Sequence, residues 1–226
     1  MKRPLIAIVS LVMLTCLHPT QAQDSNAQKA ATITAARQQN AALMKQYTWD
    51  SRTELIDKGR VVDIHLDLVT YGSGGQLQRT PLNDQSSHKP RGFLRREIAK
   101  EKKEEMQEYL TGLRGLLDQY TLLSEGKILD FINQAKMELP GPDGLVLLTG
   151  RDVVVPSDQL SLWVSAATHK PQRVQVNTTF QGDSVTMTGT YKTLPSGLNY
   201  LEFAEVEIPG KELTLQVHNF NYTRTE

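Results

Sequence analysis

Between residue 144 and the C-terminus the chain alternates apolar and polar positions in short runs, the period-two signature of half-buried β-strands. Runs at 145–148, 153–155, 160–166, 173–180, 184–192, 200–208 and 213–222 are separated by turn-forming clusters. These are Thr168-His169-Lys170-Pro171, Gln181-Gly182-Asp183, Pro195-Ser196-Gly197 and Pro209-Gly210-Lys211. Such spacing predicts an antiparallel meander. In the last two runs the apolar phase changes midway, Leu201 and Phe203 giving way to Val206 and Ile208, which predicts β-bulges and a curved sheet.

Upstream, 47–56 alternates, with Tyr47, Trp49 and Leu55 opposite Asp50, Arg52 and Glu54. After the turn Asp57-Lys58-Gly59 comes the cleanest strand, Val62, Ile64, Leu66 and Leu68 alternating with Asp63, His65 and Asp67. These two predict a hairpin with one dry face and one wet face. Gly72-Ser73-Gly74-Gly75 turns the chain into a third strand at 76–82. The period then changes to about 3.6. Leu94, Ile98, Met106, Tyr109, Leu110, Leu113, Leu116, Leu117 and Tyr120 form a stripe that predicts a long helix broken near Gly112 and Gly115. A shorter helix follows at 123–135. An N-terminal helix at 27–45 has only a weak apolar face, which fits a lid or flank. The expected class is α+β, with one antiparallel sheet joining the segments before 82 and after 144 and a helical insertion at about 93–135.

The extreme N-terminus adds a targeting call. Lys2 and Arg3 precede an apolar run from Leu5 to Leu17 and a small-residue cut at Thr20-Gln21-Ala22, the three parts of an export signal. The run makes about 20 Å of helix, short of a bilayer core of roughly 30 Å. The expected organisation is a signal peptide at 1–22 and a single β domain at 23–226, exported and periplasmic. A rival call anchors the chain as a lipoprotein at Cys16, where Leu14 and Thr15 are poor residues for the required cut. Cys16 is the only cysteine, so no disulfide supports the mature domain. With 25 basic and 25 acidic residues, the charge balance points away from nucleic acid.

Few residues carry chemistry. The sequence has no Gly-x-Ser-x-Gly elbow, His-Glu-x-x-His or Gly-x-x-x-x-Gly-Lys loop, so no catalytic residue, metal or cofactor is assigned and an enzyme is not expected. Asp63, His65 and Asp67 share a strand face, but neighbours two apart stand about 6.5 to 7 Å from each other, so the face reads as solvated and not as a metal site. Lys89, Arg91, Arg95 and Arg96 flank Phe93 and Leu94 and offer transient contact with an anionic membrane. The acidic residues from Glu97 onward favour a solvated helix start there.

One stretch carries a family likeness. Leu162-Trp163-Val164 runs through Ala166-Ala167-Thr168 into Lys170-Pro171-Gln172-Arg173-Val174-Gln175-Val176, which resembles the hairpin of the LolA-like lipoprotein carrier superfamily. The terminal Gln216-Val217-His218-Asn219-Phe220-Asn221-Tyr222 and the Tyr47-Thr48-Trp49 strand fit the same pattern. The resemblance implies a strongly curved antiparallel sheet forming an unclosed barrel, with helices over the open side and a cavity for acyl chains. It also implies an arginine that helps to hold the cavity shut, for which Arg52 is left unassigned. The charged segment 93–134 is longer than the carrier pattern.

Together these readings give two functional expectations. The first is a periplasmic binder or carrier of an apolar ligand such as lipoprotein acyl chains or another lipid, its cavity lined by Trp49, Ile64, Leu66, Leu68, Leu162, Val164, Val176 and Met187. The second is an envelope interaction or sensor module that uses the sheet as a platform. The processing call is checked by N-terminal sequencing of exported protein, which is expected to start at Gln23; a lipid-modified Cys16 at the new terminus contradicts it.

Overall fold

The computed structural model describes residues 20–85, 93–121, 123–138 and 140–225, the side chains of 20–25, 83–85 and 93–103 excepted. Its helices are α1 (Thr20–Met44), α2 (Phe93–Thr121) and α3 (Glu125–Gln134). The strands are β1 (Tyr47–Asp57), β2 (Arg60–Tyr71), β3 (Leu77–Gln85), β4 (Lys136–Glu138), β5 (Leu145–Arg151), β6 (Gln159–Ser165), β7 (Pro171–Phe180), β8 (Asp183–Thr193), β9 (Asn199–Ile208) and β10 (Leu213–Arg224). None of the described helices is long and apolar enough to cross a membrane.

All ten strands form one antiparallel sheet in the order β3-β2-β1-β10-β9-β8-β7-β6-β5-β4. The N-terminal hairpins join the C-terminal meander where β1 pairs with β10 over Tyr47 to Asp57. The sheet stays open, with β3 and β4 as its edges. Register shifts occur at Thr48/Asp50, Leu55/Ile56, Leu66/Asp67, Trp163/Val164 and Thr190/Tyr191. Each adds local twist and bend. The last falls between Phe203 and Leu201, one to two residues before the expected change of apolar phase, and puts Leu201 on the face of Ala204 and Val206 and Phe203 on the other.

Pairing register fixes which side chains share a face. Leu160, Val176, Met187, Val206, Leu215 and Leu55 lie side by side across six strands. Tyr109, Leu113, Leu116, Leu117 and Tyr120 of α2 and Phe131 of α3 pack onto that row. Burying each large apolar side chain stabilises the fold by about 1.5 to 3 kcal/mol. Two glycines permit the close approach. A Cβ on Gly112 would stand 2.8 Å from the Phe180 ring, which also meets Tyr109 edge-on at 5.2 Å. A Cβ on Gly150 would stand 2.8 Å from the ring of buried Phe131. The expected break at Gly112 and Gly115 is therefore corrected: α2 is continuous, and its tertiary contacts outweigh a helix penalty of about 1 kcal/mol per glycine.

A second correction concerns 153–155, which is a loop and not a strand. Asp158, only 1% exposed, turns its carboxylate back and accepts the backbone N–H of Val153 at 2.7 Å and of Val154 and Val155 at 2.8 Å. The Tyr120 hydroxyl donates to the same carboxylate at 2.6 Å and lies 3.0 Å from Thr178 Oγ1. A side chain that captures three successive amides leaves them no strand partner. The three-residue strand β4, exposed throughout, was not anticipated.

Burial is the largest influence on Asp158 and raises its pKa, but the Tyr120 hydroxyl and the amides of Val155, Val153 and Val154 together hold it below the usual carboxylate value. Its contribution to stability is thus complete above the unfolded value near 3.8 and is lost as pH falls through the lower folded value. Asp158→Asn is expected to destabilise by about 3 kcal/mol in urea unfolding at neutral pH, with a smaller difference in acid. In the same assay Gly150→Ala is expected to lose about 1 to 3 kcal/mol by overpacking Phe131.

Candidate functional site

The helix-covered face of the sheet has two zones. Under α2, Val174, Val176, Val185, Met187, Val206, Ile208 and Leu213 are buried in the packed core. At its margin on the same face, Leu148, Leu162, Val164, Leu201 and Val217 are only half-buried, Leu148 and Leu162 packing against the core with one side. Register places Leu148 beside Leu162 and Val174, and Val217 beside Ala204. Leu201 reaches the same side, its Cδ1 standing 2.8 Å from where a Gly189 Cβ would be. These half-buried residues form an apolar strip that the helices shield without sealing.

Helix α1 docks with a polar stripe. Asn26, Ala30, Thr34, Arg37 and Asn40 recur at intervals of three or four and share one side of the helix. Asn26 donates to Asn133 of α3 at 3.0 Å, and Ala30 is 1% exposed. Asn40 donates to the Asn199 carbonyl and accepts the Asn199 N–H, both at 2.8 Å. Arg37 donates to the carbonyls of Thr121 at 2.5 Å and Leu123 at 2.8 Å, closing the C-terminal end of α2. Burial lowers the Arg37 pKa, and nearby Tyr191 opposes that shift. Among the described residues, the buried hydroxyls of Thr34 on α1 and Ser51 on β1 have no hydrogen-bond partner. Apolar periodicity suggests only a lid or flank for this helix and does not identify its docking side, because that side is polar; Asn and Arg at helical spacing are the available signal.

The residues expected to line a cavity fall into four groups. Leu162 and Val164 belong to the half-buried strip, whereas Val176 and Met187 lie in the packed core. Trp49 is on the same face but stacks on Tyr222 with ring centroids 5.3 Å apart, and Tyr71 and Tyr200 complete the cluster. Burial pushes the Tyr222 phenol up, as do Tyr200 and Tyr71 beside it. Ile64, Leu66 and Leu68 pair with Glu54, Arg52 and Asp50, on the opposite face from Trp49 and Leu55. The single dry face expected of this hairpin is thus not formed: each side joins the apolar set of one strand to the polar set of the other. The register that points Trp49 and Leu55 toward the core puts Asp63, His65 and Asp67 on that side with them.

That polar row is internally engaged. His65 and Asp63 are in contact at 3.0 Å, and Arg79 donates to Asp67 at 3.3 Å. Arg52 lies on the outer face and pairs with Glu54. Lys89, Arg91, Cys16 and the side chains of Arg95 and Arg96 lie outside the described residues. A cleft of about 460 Å³ between α3 and the β5–β6 loop is lined by Lys127, Asp130, Asn133, Gln134, Asp152 and Val153, a polar surface unlike the apolar strip.

No protein family matches the sequence, and no curated protein does. Among solved structures, the chain is similar to a DUF1329 family protein from Desulfovibrio piger, with 13% identity, a TM-score of 0.36 and coverage of 91% of this chain and 93% of that one. It is also similar to a LolA superfamily protein from Nitrosomonas europaea, with 12% identity, a TM-score of 0.35 and coverage of 80% and 86%. The second bears the name of the superfamily that the 160–176 hairpin resembles. Similarity at this level assigns neither a ligand nor an activity.

Proposed function

We propose that the protein is an exported binder or carrier of an apolar ligand, an acyl chain held along the half-buried strip between the curved sheet and the helices. The observation that supports this reading is the division of the covered face: the Val and Met residues of β7 and β8 are buried in the core, while Leu148, Leu162, Val164, Leu201 and Val217 at its margin are only half-buried. Such a strip gains by covering itself with another apolar surface. Each methylene buried contributes about 0.8 kcal/mol, so eight supply roughly 6 kcal/mol before the entropic cost of association. Micromolar affinity for a longer chain follows without any polar contact. Helix α1 suits the entrance, because hydrogen bonds to its polar stripe exchange for water at little net cost, whereas undocking the apolar face of α2 would expose the core.

Uptake of a fluorescent fatty acid by purified protein tests the reading. Wild type is expected to bind it; Leu162→Phe is expected to weaken uptake several-fold with less than about 1.5 kcal/mol change in stability, since the half-buried position has room for the ring. Leu66→Phe, on the opposite face, is expected to leave uptake unchanged. Absence of uptake by wild type, or strong destabilisation by Leu162→Phe, identifies a filled interior and favours the interaction-module reading.

A further inference from the structure

We infer that the ligand carries an anionic head, a carboxylate or a phosphate, which pairs with Arg37. This inference rests on the apolar-ligand reading above and specifies the other end of the molecule. Arg37 is half-buried on the docking side of α1, close enough to Tyr191 for the two to influence each other's ionisation. Asn40, one turn further along α1, bonds the backbone of Asn199, two residues from Leu201, and Leu201 pairs with Tyr191, so this turn of α1 stands at the border of the apolar strip.

The charge there is incompletely balanced. Among the described residues no carboxylate lies within ion-pair distance of Arg37, whose two hydrogen bonds go to the carbonyls of Thr121 and Leu123. Those carbonyls close the end of α2, and a helix C-terminus offers roughly half an elementary negative charge. A guanidinium has five N–H groups, and the two carbonyl bonds leave the others available. Several other cations of the described region have an acid of their own, such as Arg79 with Asp67 and Lys211 with Asp183. Arg37 combines burial, an acid-free setting and unused donors, the arrangement in which a planar cation recognises a carboxylate or phosphate. An amphiphile with its chain on Leu162 and Leu201 and its acid group at Arg37 satisfies the strip and the charge together.

The test compares three probes with the same saturated chain: the free fatty acid, its methyl ester and the monoacyl glycerol phosphate, each displacing a fluorescent fatty acid at neutral pH. Wild type is expected to bind at least one anionic probe about tenfold or more tightly than the ester, the advantage of a charge-assisted hydrogen bond. Preference for the fatty acid alone assigns a carboxylate head, and preference for the glycerol phosphate alone assigns a phosphate head. In Arg37→Met the preference, read as the ratio of anionic-probe to ester affinity, is expected to fall to about one. Equal binding of acid, phosphate and ester by wild type overturns the anionic head and leaves the apolar site standing. A preference that survives in a folded Arg37→Met does the same. Failure of wild type to bind any of the three overturns both readings. The wild-type ratio decides the matter without a variant, and Arg37→Lys, which keeps the charge, is expected to retain part of the preference.

Discussion

One buried carboxylate ties the end of α2 to the sheet and, through that end, holds the middle of α1. Asp158 holds the β5–β6 loop through three amides and receives the Tyr120 hydroxyl, so the last turn of α2 is tied to a fixed point on the sheet. One residue further, the Thr121 carbonyl receives Arg37, and Leu123 beside it does the same. Helix α1 therefore docks onto a helix end whose location is set by Tyr120 and Asp158. Charged hydrogen bonds of this kind are roughly twice as strong as neutral ones, and in a buried setting leaving their partners unpaired is expensive. A change at Asp158 would reach α1 through this chain of contacts, although the two do not touch.

The sequence made the sheet legible because period-two alternation survives wherever one face meets a core. Strands β5 to β10, β1 and β2 are close to the runs expected of them, and β9 has a bulge beside the expected phase change, between Leu201 and Phe203. Alternation says which residues share a face and not which face is covered. For β2 the polar set lies on the helix side because pairing with β1 takes precedence over the hydrophobicity of β2 itself. Val153, Val154 and Val155 have strong strand propensity, yet the side chain of Asp158 competes for their amides and wins. Gly112, a helix breaker by propensity, is the place where a ring enters. In the helix and the hairpin a neighbouring element decided, and in the loop a side chain three to five residues away did; the spacing of apolar positions records neither.

The candidate site was partly legible for the same reason. Leu162 and Val164 stood out as apolar strand residues and do lie on the covered face, but the same criterion selected Leu66 on the outer one. Arg37 and Asn40 escaped notice because they sit in a segment of Ala, Gln and Asn with almost no apolar side. A helix that docks through hydrogen bonds looks, in sequence, like a helix that docks nowhere.

A partly uncovered interior is sustainable here because stability and binding are assigned to different strands. The residues from β6 to β9 that meet α2 and α3 build a dense core with close ring contacts at Gly112 and Gly150. A domain of this size needs a net stability of only about 5 to 15 kcal/mol, so filling the remaining strip on β5, β6, β9 and β10 is not required for folding. Leaving those side chains half-covered forgoes some burial energy in the unliganded protein, and that forgone energy is what an apolar ligand recovers. Fastening α1 over the region by Asn and Arg contacts, and not by a second apolar seam, keeps the cover removable while the core below stays intact.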